Sequence, residues 1–185
     1  MKRTLLILAT LLLTVLAHAQ HMVYDTNVRT LQVTLNDNPL LPPVLKLGKS
    51  SFLRISWDEM SHDYHRYVYR IQHCTRDWEP TEDLFESDYL HGTNGLPVED
   101  YETSFNTTQL YTHYSLTFPN RDASVLLSGN YKLLVYEEDF MDNGPIIEVR
   151  FHVVEAEMGL TMQVSSNTDI DFNDKHQQVS LNLTY

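Results

Sequence analysis

Hydrophobic and polar residues alternate with a period of two along most of the chain beyond residue 27. VRTLQVTL (Val28 to Leu35) sets Arg29, Leu31, Val33 and Leu35 on one face and Val28, Thr30, Gln32 and Thr34 on the other. In SFLRISW, Leu53, Ile55 and Trp57 oppose Phe52, Arg54 and Ser56. RYVYRIQH groups Tyr67, Tyr69, Ile71 and His73, and YTHYSLTF groups Tyr114, Leu116 and Phe118. YKLLVYEE and IIEVRFHVV close the series, joined by the turn-rich DFMDNGP. Successive side chains of a strand point to opposite faces, so this pattern in aromatic and β-branched residues predicts half-buried strands. Asn36-Asp37-Asn38-Pro39 and Pro42-Pro43 punctuate them. Short strands with turn punctuation predict an all-β fold, an immunoglobulin-like antiparallel β-sandwich over residues 20–155.

Two segments depart from the pattern. Residues 79–106 are acidic and carry two glycines and two prolines. They predict a long excursion with one helical turn and one short edge strand, the first place to seek a contact surface. Beyond Val154, a polar connector (EAEMGL) precedes renewed alternation that aligns Val179, Leu181 and Leu183. Residues 156–185 therefore predict the start of a second β domain, truncated here, within a longer protein. Locally, Leu110, Thr112 and Tyr114 have the spacing of a tyrosine corner, in which a strand-entry hydroxyl bonds upstream backbone. An inward aromatic explains Tyr114 equally well. Ser128-Gly129-Asn130-Tyr131 reads as a tight turn feeding a late strand.

The amino terminus has a different logic. Lys2 and Arg3 precede an apolar run from Leu5 to Ala17, and Ala17-His18-Ala19 supplies small residues for cleavage. This predicts a secretory signal over residues 1–19, too short for a membrane span of about 20 residues. With no cysteine at the cleavage site, a lipid anchor is not expected. The remaining 166 residues, about the length of one domain, hold eleven cations and 25 carboxylates, a formal charge of −14. That balance argues against nucleic acid and against anionic lipid surfaces. One cysteine in an exported chain permits no internal disulfide, so the core must hold the fold. Such a product suits a bacterial periplasm.

The chemistry-bearing residues do not compose a site. His73 and Cys74 adjoin, but strand parity sends them to opposite faces, and a lone thiol behaves as a small hydrophobe. His62-x-x-His65 offers at most two ligands where zinc needs three or four, and reads as a solvated connection. Asp169, Asp171 and Asp174, like Glu137, Glu138 and Asp139, lack the calcium loop's glycine and terminal glutamate. No residue is assigned a catalytic, cofactor-binding or metal-binding role, and no cofactor is expected.

The runs LPPVLKLGKSSFLRISWDEM, YVYRIQHCTRDWEPTEDLFESDYLHG, DYETSFNTTQLYTHYSLTFPN and LSGNYKLLVYEED closely resemble the first domain of the type IX secretion system plug protein. HCTRDW and SFNTTQLYTHYSLTFPN carry the resemblance most strongly, and it extends from about Val23 to Val154. NTDIDFNDKHQQVSLNLTY resembles the start of that family's second domain. The resemblance implies a periplasmic, multidomain β-sandwich protein that seals the outer-membrane translocon barrel by steric occlusion, without catalysis. It assigns no contact residues. Two other readings compete. A carbohydrate- or peptide-binding sandwich module would present Trp78 and Tyr89 as a solvent-facing platform, and a glycosidase-like enzyme would need two carboxylates converging in a cleft.

Overall fold

The structure, a computed structural model, describes residues 21–61, 63–155, 157–168 and 176–185. The signal segment 1–19, His62 and the acidic run Asp169, Asp171 and Asp174 lie outside the described residues. The chain divides between Val154 and Glu155 into two compact units.

The first unit is an all-β sandwich. Its larger sheet has β7 (Leu96–Pro97), β5 (Tyr67–Cys74), β11 (Gly129–Glu137) and β12 (Ile147–Val154) in that order. On the far edge of β12, β1 (His21–Val23) pairs antiparallel with residues 147–149 and β3 (Val44–Lys46) pairs parallel with residues 152–154. The smaller, antiparallel sheet runs β2 (Val28–Leu35), β4 (Leu53–Glu59), β9 (Thr112–Phe118) and β8 (Asp100–Thr103). The predicted faces are the buried ones. Leu53, Ile55 and Trp57 of β4, Tyr67, Tyr69 and Ile71 of β5, and Tyr114, Leu116 and Phe118 of β9 meet between the sheets with alternate residues of β11 and β12.

Aromatic residues dominate this core. Trp57 stacks on Tyr114 with ring centroids 5.5 Å apart, and Tyr67 stands edge-on to both. Towards the other end, Phe151 stacks on Tyr131 and meets Phe118 edge-on. Each such ring removes about 150–250 Å² from water, which is how a chain with one free cysteine holds together without a bridge.

Three expectations need correction. In β2 a bulge lies between Arg29 and Gln32, with Thr30 at φ 52°. One extra residue reverses the facing, so Val28 is buried with Leu31, Val33 and Leu35 instead of opposite them. Secondly, Tyr114 does not make the corner bond. It lies inside β9, donates to the His65 carbonyl at 3.0 Å and accepts from the His65 N–H at 3.2 Å. The upstream bond belongs to Tyr131, whose hydroxyl donates to the Leu127 carbonyl at 2.8 Å. Gly129, two residues before it, has φ 148° and faces His73, where an added Cβ would fall 2.4 Å from Nε2.

Thirdly, the excursion is more ordered than its composition predicts. One helical turn, α1 (Glu86–Tyr89), leads into β6 (Leu90–Gly92), which pairs with β10 (Ala123–Val125); β7 and β8 follow. Tyr89, Leu90 and Val98 enter the core, and this burial fixes a segment that lacks strand-like alternation.

The second unit contains β13 (Gly159–Ser165) and β14 (Gln178–Thr184), an antiparallel pair. Leu160 opposes Leu183, Met162 opposes Leu181 and Val164 opposes Val179, so the six apolar side chains share one face.

Candidate functional site

The HCTRDW segment sits where β5 ends. The chain reverses over Thr75–Glu79, the Thr75 N–H donating to the Glu79 carbonyl at 2.8 Å and the Trp78 N–H to the Thr75 carbonyl at 3.1 Å. Trp78 takes φ 65°, a left-handed conformation that costs an L-residue about 1–2 kcal/mol. Its ring offsets that cost. The indole lies against His152, with centroids 5.3 Å apart, and under the Arg150 guanidinium at 5.2 Å. Arg150 in turn bonds Glu148 at 2.7 Å, and Lys132 and the Tyr24 hydroxyl reach the same carboxylate at 3.6 and 3.3 Å. On the outer face of the larger sheet two cations thus share one carboxylate, and the indole lies under one of them.

Cys74 belongs to this outer face and is buried. Burial pushes its thiol up from the ordinary value, which leaves a weaker nucleophile at neutral pH. His73 points to the other side. Its ring stands edge-on to Tyr131 at 5.0 Å and Nδ1 lies 2.8 Å from Thr81 Oγ1. Parity separates the two residues as the sequence predicts, and no thiol–imidazole pair forms.

His65 differs from its expectation. It is not a solvated turn residue but a clip between the sheets. Nδ1 lies 2.7 Å from Glu137 Oε1, and Nε2 lies 3.0 Å from Ser61 Oγ and 3.9 Å from Glu59. Glu59 is a buried carboxylate that accepts from the Ser61 N–H at 2.9 Å and its hydroxyl at 2.7 Å. Sequence reasoning passed over it, although it continues the inward parity of Leu53, Ile55 and Trp57. Glu138 pairs with Arg66 at 2.9 Å and Asp139 faces solvent, so these neighbouring acids do not converge. Among the described residues no group of three histidines, cysteines or carboxylates is placed to hold a metal ion.

A cavity of about 540 Å³ opens beside β7 and β9 and is lined by Tyr69, Glu99, Asp100, Arg121 and Asp122 among others. All four charged residues are exposed, whereas a glycosidase acid needs an environment that raises its pKa. Tyr89 touches His73 and Tyr131 on the core side of the larger sheet, and Trp78 lies on its outer side. The two rings therefore offer no shared platform for a sugar or peptide. Among the described residues no helix is long and apolar enough to cross a membrane.

Comparison with known proteins places these features. A family model described as "Type 9 secretion system plug protein 1st domain" matches residues 28–155, which takes in nearly all of the sandwich and the HCTRDW turn. The crystal structure of a hypothetical protein from Parabacteroides merdae ATCC 43184, at 2.30 Å resolution, is 35% identical with a TM-score of 0.73. The similarity covers 90% of this chain and 42% of that one, so this chain spans less than half the length of that relative. No curated protein matches.

Proposed function

The chain belongs to the type 9 secretion system plug protein family through its first domain, and from that premise we propose that it seals the outer-membrane translocon of this system. The seal is steric. A folded body binds the periplasmic mouth of the barrel and blocks it when no cargo occupies it. The observation that carries this reading is the family match across residues 28–155.

Occlusion requires a body that does not deform, and the aromatic core between two sheets supplies one. It requires no bond making. The family is a secretion-system domain family rather than an enzyme family, in keeping with an action without catalysis. In this reading the protein is exported by its signal, stays in the periplasm and meets the outer membrane through its protein partner. The sandwich is of the immunoglobulin-like kind, the Tyr131–Leu127 bond serving as its tyrosine corner. Residues 156–185 are part of a second β domain, whose core the apolar face of β13 and β14 would join.

The reading is tested in cells by deleting the gene. Entry of a large fluorescent dextran into the periplasm should rise, and fall again when the full-length gene is restored. Unchanged entry would show that this protein seals no channel. The full-length protein should also co-purify with the translocon barrel.

A further inference from the structure

Strand register brings four connections to one end of the sandwich. They are residues 24–27 after β1, 60–61 and 63–66 after β4, 104–111 after β8 and 138–146 after β11. Five exposed aromatic residues stand on this end: Tyr24, Tyr64, Tyr101, Phe105 and Phe140. Phe105 is 84% exposed and Tyr64 61%. The opposite end also exposes apolar residues, Leu40, Leu41, Phe85, Leu126 and Leu127, but among the described residues Phe85 is its single exposed aromatic.

The aromatic end is also preorganised. Tyr64 and Tyr101 lie 5.0 Å apart, and Tyr24 and Phe140 line one cavity of about 180 Å³ with Asp25 and Glu137. Its connections are tied together. The Met60 N–H donates to the Asn27 carbonyl at 3.1 Å, the Glu138 N–H to the Arg66 carbonyl at 2.8 Å, and His65 bridges to Glu137. Rigid aromatic side chains held in place are what binding hot spots are made of, because little ordering entropy remains to be lost.

Charge selects the partner. Asp25, Asp63, Glu102, Asp139 and Asp142 surround the aromatic residues. The cations nearby are Arg66, ion-paired with Glu138 at 2.9 Å, and Arg29 at the base of β2. A surface of this kind repels an acidic partner and complements a basic one.

We propose that this end of the sandwich is the docking face for the secretion channel, and that it fits a protein rim whose lysine and arginine side chains flank apolar residues. The proposal rests on the sealing function above and adds where contact is made and with what chemistry. Aromatic rings enter between the apolar groups of the rim while the carboxylates pair with its cations.

The test uses the full-length protein in its own cells, with a photo-crosslinking phenylalanine placed singly at Tyr64, Phe105 or Phe140, and at Leu40 or Phe85 as opposite-end controls. Positions 64, 105 and 140 should give a covalent product that mass spectrometry identifies as the translocon barrel, and positions 40 and 85 should not. Products from positions 40 and 85 alone, or equally from both ends, would overturn the docking face and leave the sealing function standing. No product with the barrel from any position would remove both. A charge arm sharpens the chemistry: Asp139→Lys combined with Asp142→Lys should lower the product at position 105 by about tenfold. Glu82→Lys combined with Asp83→Lys at the opposite end should not. An undiminished yield in the first pair would overturn the basic rim.

Discussion

β4 and β14 carry the same signal and meet different fates. In β4, Leu53, Ile55 and Trp57 alternate with polar residues and are completely buried. In β14, Val179, Leu181 and Leu183 alternate as cleanly, yet they and their partners Leu160, Met162 and Val164 are 54–64% exposed. Period two therefore specifies a strand and its apolar face. Burial requires a second sheet to close on that face, and only the first unit supplies one among the described residues. A two-stranded pair alone is marginally stable in water.

The sharpest way to break the comparison is to remove a ring that the first unit encloses. Trp57 has no exposed surface and contacts Tyr67 and Tyr114. Trp57→Ala should destabilise the sandwich by about 3–5 kcal/mol, read from the midpoint of denaturant unfolding at unchanged slope. A loss below about 1 kcal/mol would mean that the two sheets are not closed over this residue.

Alkaline pH probes the same enclosure. Burial raises the phenols of Tyr67, Tyr69, Tyr114 and Tyr131 above the ordinary value of 10, with Glu59 adding to the effect at Tyr67 and Tyr114. A phenol whose folded pKa exceeds its unfolded one contributes stability that is complete below pH 10 and is lost as pH rises towards the folded value. The part of the tyrosinate absorbance that belongs to these four phenols should therefore appear in one step above pH 10, together with the loss of the β-sheet circular dichroism. Complete ionisation of all tyrosines within an intact fold would contradict the enclosure.

A smaller effect isolates one bond at the β11 entry. Tyr131→Phe keeps the stacked ring and removes the hydroxyl that donates to Leu127. The expected loss is about 0.5–1.5 kcal/mol. Tyr114→Phe should cost a similar amount, since it unties the hydroxyl from His65. No change for Tyr131→Phe would show that the turn before β11 needs no such tie.

These residues also mark how far the sequence can be read. The principal strands and their inward faces follow from parity, because parity is local. The bulge at Thr30 is equally local but needs one residue at positive φ, which composition does not signal. Tyr114 and Tyr131 each stand as the third residue of a strand, and what separates them is which arch folds back on the hydroxyl. The outward parity of Cys74 was legible, but the neighbours of Trp78 were not: its ring meets Arg150 and His152 on a strand brought there by non-local pairing. The aromatic end is the extreme case. Tyr24, Tyr64, Phe105 and Phe140 are scattered over more than a hundred positions, and register alone gathers them.

The last test returns to β14, at the residue that mirrors Trp57 in pattern. Leu181 opposes Met162 and is 58% exposed. Leu181→Ser should shift the unfolding of the sandwich by less than about 0.5 kcal/mol, as for surface substitutions that break no packing. The same change should lower self-association of this 185-residue chain, measured by light scattering, because an uncovered apolar sheet face invites another copy. In a longer form of the chain that carries further strands the outcome should reverse, with the substitution costing about 2 kcal/mol or more if those strands bury the side chain. A cost that stays near zero in both lengths would mean that the face remains open, and that residues 156–185 do not join a second core.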